Sequence, residues 1–371
     1  MSNGLDDFGV ARIVQCEIEI ETGKKLTPSR TIWQGSGGRY LESPHMYKIN
    51  GHYYLLAAEG GTEYGHMETY ARGTLVSGPF EAFPFNPVLT NRNLGGYELQ
   101  GVGHGDLVQD HQGNWWLFHL GFRQIGQWLT YHHLGREVFL TPVTFDEDGW
   151  FKAGLNGTTL LTFETDRIPE ATVQVEKKSF TFENTEWDKE WIYLRHPHAH
   201  NYQFEPNKLT LKGTEVSLNQ PESPTFIGIR QKDFNALISC DVSLTRGEAG
   251  ITLYMDEHHH YDLALCKDEN GYKVIERLNI GDIKTIQHAI DLGDHGQATL
   301  RIQSNSEQYN FYLHTNGKDI HLGSAQTKYL SSEVAGGFTG VVIGLYAYGQ
   351  GSIAEFAKFK CDYSVEPRRK K

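Results

Sequence analysis

Between residues 41 and 139 the chain sets out polar groups at intervals in strand-like surroundings: Leu41-Glu42-Ser43-Pro44-His45, Ala58-Glu59-Gly60-Gly61-Thr62, Gly103-His104-Gly105-Asp106 and Leu134-Gly135-Arg136-Glu137. Tyr64, Trp115, Trp116, Trp128 and Tyr131 crowd the same stretch, with Trp33 and Tyr40 just before it. A carboxylic acid can give a proton to a leaving oxygen, an imidazole can hold a water, and a guanidinium fork can grip paired hydroxyls. Set among aromatic rings, those groups suit the processing of a sugar.

The elements that must position them read as short strands. Forty glycines, 12% aromatics and few helical periodicities point to an all-β chain rich in turns. Met46-Tyr47-Lys48-Ile49, Asn50-Gly51 and His52 to Leu56 predict a hairpin, because Asn-Gly supplies the positive φ angles of a type I′ turn. Further hairpins are expected where 106–108 turns at 110–114 into Trp115 to Phe118, and where 138–145 turns at 146–149.

At 371 residues and 42.1 kDa the chain is long enough for two cores. The pattern changes after about residue 161, and beyond the charged Glu176-Lys177-Lys178 the strands lengthen and lose the chemistry-bearing motifs, so a boundary is placed near 170. The division expected is 1–168 and 169–371. Strands are predicted at 208–211, 236–244, 250–255, 261–266, 272–277, 298–302, 309–314 and 341–347, a spacing that suggests a β-sandwich.

A net charge of −12 and a pI near 5.8 argue against a nucleic-acid backbone or an anionic membrane surface as partner. The basic run Arg368 to Lys371 is short and reads as a solvated end. Four widely spaced cysteines, Cys16, Cys240, Cys266 and Cys361, form no CxxC pair and are expected as buried thiols. No apolar run approaches the ~20 residues of a membrane span. Met1 to Val10 lacks the regions of a signal peptide, so the chain as written is expected in the cytoplasm.

With these residues in view, the chain resembles glycoside hydrolase family 43, in particular its β-xylosidase and α-L-arabinofuranosidase members. The resemblance rests on Glu42 to His45 with the following hairpin, on Ala57 to Thr62, on Gly103 to Leu107 and on Leu134 to Glu137. It implies a five-bladed β-propeller followed by a concanavalin A-like (jelly-roll) β-sandwich. Five four-stranded blades need roughly 160 to 240 residues before loops, and about 165 precede the boundary. The matching motifs also begin partway through the family pattern, so a partial propeller is expected. Its partners would be a xylose- or arabinose-containing oligosaccharide and either an N-terminal propeller fragment or a second copy.

The resemblance assigns Glu42 as general acid of an inverting glycosidase, His104 as an axial histidine holding a water or ion, and Arg136 as a ligand of the terminal sugar. His45, Tyr64 and Trp128 are candidate pocket walls, with His66 and Phe122 beside them. Glu59 is read as a brace. No general base is matched, since Asp6 and Asp7 lie in a leader too short for a blade. No cofactor is required, and the resemblance leaves room for a structural calcium near the axis. Without the base, the chain alone is also readable as a non-catalytic sugar-binding protein or the downstream half of a split enzyme. His258-His259-His260 invites a metal, but consecutive strand residues face opposite ways, so a hairpin connection is preferred, and Arg195 to His200 reads as a loop.

Overall fold

The computed structural model describes residues 1–5, 9–169 and 189–363, so Asp6, Asp7, the segment 176–178 and the tail 368–371 lie outside the described residues. Among the described residues strands dominate, with one four-residue α-helix, α1 (Ser332–Ala335). Two compact units are formed. Unit 1 comprises Met1–Thr130 and Arg136–Thr172, and unit 2 comprises Tyr131–Gly135 and Val173–Lys371. Unit 2 is thus discontinuous in sequence.

Within each of the three sheets of unit 1, each strand pairs antiparallel with the next along the chain. The first sheet holds β1 (Ser2–Leu5), β2 (Ala11–Gln15) and β3 (Arg30–Trp33). The second holds β4 (Glu42–Ile49), β5 (His52–Glu59), β6 (Met67–Gly73) and β7 (Glu81–Ala82). The third holds β8 (Leu99–Gln109), β9 (Trp115–Arg123), β10 (Glu137–Phe145) and β11 (Phe151–Ala153). These up-and-down sheets have the form of propeller blades. Asn50 and Gly51 turn the predicted hairpin with φ of 49° and 84°. At the next turn Asp110 accepts from the Gln112 and Asn114 amides and from the Trp116 indole. Those bonds, the indole's foremost, hold its carboxyl down at about 2.

The second and third sheets share a core that includes Tyr54, Leu56, Tyr70, Leu99, Leu117 and Phe151. Tyr70 and Phe151 stack with centroids 3.9 Å apart. The Tyr70 hydroxyl donates to Phe151 O and accepts from Phe151 N–H, so a ring buried for its area also satisfies its polar end.

Unit 2 is a two-sheet sandwich. Its strands begin with β12 (Tyr202–Glu205), β13 (Lys208–Lys212), β14 (Thr225–Arg230), β15 (Ala236–Leu244) and β16 (Gly247–Tyr254). They continue with β17 (His259–Asp268), β18 (Gly271–Ile280), β19 (Ile283–Gly293) and β20 (Gln297–Ser304). The last are β21 (Gln308–Thr315), β22 (Lys318–Gln326), β23 (Val342–Tyr348) and β24 (Ile353–Asp362). One sheet runs β12-β13-β24-β15-β20-β21-β22 and the other β14-β23-β16-β17-β18-β19. Alternate residues such as Ile238, Cys240 and Val242, or Ile251 and Leu253, face inward to one core. Cys240, Cys266 and Cys361 are buried thiols as expected, whereas Cys16 is only half-buried.

Tyr131–Gly135 is tied into unit 2 by its own bonds. Glu333 accepts from the His132 backbone N–H and from Nδ1 of its ring, at 2.9 and 2.8 Å. The Val341 amide donates to His133 O, and the Tyr131 hydroxyl meets Thr327 Oγ1 at 3.1 Å.

Candidate active site

Glu42 opens β4, and between it and His45 the pairing with β5 slips by one residue. Ser43, at φ 51°, makes that bulge. An extra residue in a strand bends it and re-aims its side chains. The third sheet repeats the device. The β8–β9 register shifts between Gln100 and Gly103 and again between Gly103 and Asp106, and His104, within the second shift, has φ 57°. Positive φ at a non-glycine residue is costly and persists only where surrounding structure enforces it. Both bulges fall on the residues whose types suggested chemistry.

The two are brought together: His104 Nδ1 lies 3.9 Å from Glu42 Oε1, and both side chains keep about a third of their surface exposed, 37% and 36%. Burial lowers the His104 pKa, the Glu42 carboxylate opposes that shift, and His45 and Arg136 add to it. His104 is thereby kept neutral at neutral pH. His45 Nδ1 is 2.9 Å from Asp106 Oδ1, which also accepts from the Tyr47 hydroxyl at 3.0 Å. Tyr47 in turn accepts from the Leu107 amide.

Arg136 begins the chain's return to unit 1, and its charge reaches both His66 and His104. The neighbouring Glu137 is taken by Arg123, whose Nε and Nη2 donate to its two oxygens at 2.8 and 3.0 Å. Tyr64 meets the buried Phe122 edge to face at 5.1 Å. Trp128 stands 94% exposed on the loop between β9 and β10. The geometry thus gathers Glu42, His104, His45 and, through its field, Arg136, while Trp128 points its ring to solvent.

Glu59, fully buried, accepts from the Ser36 and Gly38 amides and from Thr69 Oγ1, which anchors the 36–38 turn. Sequence reasoning missed Glu68. It is fully buried on β6 and accepts from the Gly105 amide at 2.8 Å, directly under the His104 bulge. Burial pushes its carboxyl up to about 8. Nearby, His66 is pushed down to about 4, chiefly by burial, and its Nδ1 lies 2.8 Å from Gly101 O. Its ring fits because residue 103 is glycine: a Cβ there would stand 3.0 Å from it.

Residues 3–151 match the family described as Glycosyl hydrolases family 43, and residues 179–362 match the Beta xylosidase C-terminal Concanavalin A-like domain. The chain is 38% identical over 339 residues to the non-reducing end alpha-L-arabinofuranosidase BoGH43B of Bacteroides ovatus, covering 89% of this chain and 63% of that protein. It is 32% identical over 364 residues to a xylosidase/arabinosidase of Butyrivibrio fibrisolvens, covering 94% of this chain and 68% of that protein. The chain belongs to glycoside hydrolase family 43. Among solved structures, the Bacteroides ovatus xyloglucan PUL GH43B superposes with TM-score 0.89 at 34% identity, over 97% of this chain and 72% of that one. This family 43 chain is therefore part of a five-bladed propeller followed by a concanavalin A-like sandwich, and it spans about two thirds of the length of these relatives.

For a calcium ion the fit is poor. At the His104 bulge, His104 Nδ1, His66 Nε2 and Glu68 Oε1 are buried polar atoms without a hydrogen-bond partner among the described residues. One carboxylate oxygen and two imidazoles fall short of the six to eight oxygens calcium takes. Among the described residues no three His, Cys, Asp or Glu side chains converge as a metal site. Of the triplet 258–260, expected as a hairpin connection, only His258 lies between β16 and β17; His259 and the buried His260 open β17, His259 bonding Asp256 and His260 bonding Asp262.

Proposed function

We propose that this chain works as an exo-acting glycosidase on xylose- or arabinose-containing oligosaccharides, with Glu42 as general acid. The observation that carries the reading is the pairing of Glu42 with His104 across two facing bulges, at 3.9 Å. Glu42 delivers its proton to the departing glycosidic oxygen as the sugar takes on oxocarbenium character. Neutral His104 holds a water or a sugar hydroxyl beside that carboxyl, and Asp106, fixed by Tyr47, keeps His45 in place. Arg136 offers its donor fork to the hydroxyls of the terminal sugar. Inversion further requires a base across the scissile bond with room for a water, roughly 6.5 to 9.5 Å from the acid. No residue of the chain is assigned that role, and no step uses a cofactor.

The names of the relatives support a pentose at the non-reducing end. The test is release of xylose from xylobiose and of arabinose from arabinosylated xylo-oligosaccharides by the purified chain, with Glu42→Gln alongside. Release that disappears in the variant is expected. A folded, monodisperse chain that releases neither sugar overturns the reading.

A further inference from the structure

The outer face of the six-stranded sheet in unit 2 changes character across its width. One part is apolar: Phe226, Tyr254, Ala264, Cys266 and Val342 form a cluster with Leu218, against which Ile192 and Leu194 pack. Beside it lies a cavity of about 280 Å³ whose walls are charged.

Register builds the wall. Thr252 on β16 lies opposite Asp262 on β17, which lies opposite Arg277 on β18. Asp262, fully buried, accepts from Thr252 Oγ1 at 2.7 Å and pairs with His260 Nδ1 at 2.8 Å and Arg277 Nη1 at 3.3 Å. Arg277 turns its other edge to Glu248, with Nη1 to Oε1 at 2.7 Å and Nη2 to Oε2 at 2.5 Å. The Tyr346 hydroxyl donates to Glu248 Oε1. Asn219 Nδ2 lies 2.9 Å from His260 Nε2. Lys284 and the half-exposed ring of Tyr348 stand at the rim.

Taking charges out of water costs several kcal/mol per ion, and apolar residues of similar size commonly do better for stability. The neighbouring strip of the same face shows that apolar cover is available to this sheet. Fixing Asp262, Arg277 and Glu248 in one network beside a cavity therefore calls for a reason other than packing. Charge narrows the ligand. Glu248 and Asp262 balance Arg277 and Lys284, so a charged ligand would leave a net charge behind. What the walls do offer is a fixed alternation of acceptors and donors with one aromatic edge, which matches the vicinal hydroxyls and apolar face of a sugar ring. The volume equals that of about nine liquid waters at ~30 Å³ each, enough for a single ring.

We propose that the cavity bounded by Glu248, Asp262, Arg277 and Tyr348 binds one unit of a neutral sugar, at a site carried by the sandwich unit and independent of the Glu42 constellation.

The test is saturation-transfer NMR on the full chain with D-xylose and L-arabinose as probes and inorganic phosphate as the charged control. Binding in the millimolar range is expected, weakened at least tenfold in Arg277→Gln. Should that variant fail to fold, the rim double variant Lys284→Ala with Tyr348→Ala, checked by its melting temperature, reads the same loss. The proposal is overturned if the folded chain binds neither sugar, if phosphate binds in their place, or if the pocket variants match the wild type while Arg136→Ala removes the signal. Product release is read separately, so the hydrolase reading and this one fail independently.

Discussion

The Glu68 carboxyl accepts a hydrogen bond from the Gly105 amide at 2.8 Å, which puts a fully buried acid immediately beneath the strained backbone of His104. Nothing else on β6 announces such a group. Its consequences are measurable as a dependence of stability on pH.

Burial raises the Glu68 pKa to about 8 from its ordinary 4.5, so the folded state binds a proton that the unfolded state releases. Stability is then fullest below pH 4.5 and falls as pH rises toward 8. At ~1.4 kcal/mol per pKa unit the loss amounts to as much as about 5 kcal/mol. Glu68→Gln keeps the acceptor for Gly105 and cannot ionise. Its unfolding midpoint in urea should match the wild type near pH 5 and exceed it at pH 9, whereas equal midpoints at pH 9 would contradict an ionisation penalty.

His66 works in the opposite direction. Burial, aided by the charges of His104 and Arg136, lowers its pKa to about 4. The unfolded state, with a histidine near 6.5, therefore gains the proton first. Its share of stability is complete above pH 6.5 and is lost as pH falls toward 4, on the order of 3 kcal/mol in all. In wild-type protein the His66 imidazole resonances should stay unprotonated through pH 5.5. A transition near 6.5 in the folded state would refute this.

A general acid matters most when the leaving group is poor. Glu42→Gln should lose about 10²- to 10⁴-fold in kcat on xylobiose, whose leaving sugar needs a proton. It should lose far less on 4-nitrophenyl β-D-xylopyranoside, whose leaving phenolate does not. Equal losses on both substrates would assign Glu42 to binding rather than proton transfer.

The legible parts of the molecule are those where side-chain pattern dictates backbone. Asn50-Gly51 announced its turn, and the inward alternation of Ile238, Cys240 and Val242 announced β15. β19 was hidden because it is a largely exposed edge strand with no apolar face to read. β24 buries Ala354 and Phe356 and then Phe359 and Cys361, and the alternation slips by one residue at Lys358, at φ 50°, which breaks the period-2 signal. In the candidate site, residue types pointed to Glu42, His104 and Arg136, but the bulges at Ser43 and His104 are backbone events set by register between strands. Glu68 was missed because β6 is buried on both faces, so alternation carries no information there. One signal could have found it: an acid in a strand otherwise flanked by Met, Thr and Tyr must be satisfied internally or held neutral.

The five residues Tyr131–Gly135 belong to unit 2 although their neighbours on either side belong to unit 1. Linear cuts therefore cannot reproduce the physical parts. A gene fragment ending near residue 168 would carry Tyr131 and His133 away from the interior they fill, and a fragment starting there would fold around a five-residue gap. Modular recombination in such a chain has to move the two halves as one heritable block, or graft that short segment along with the sandwich.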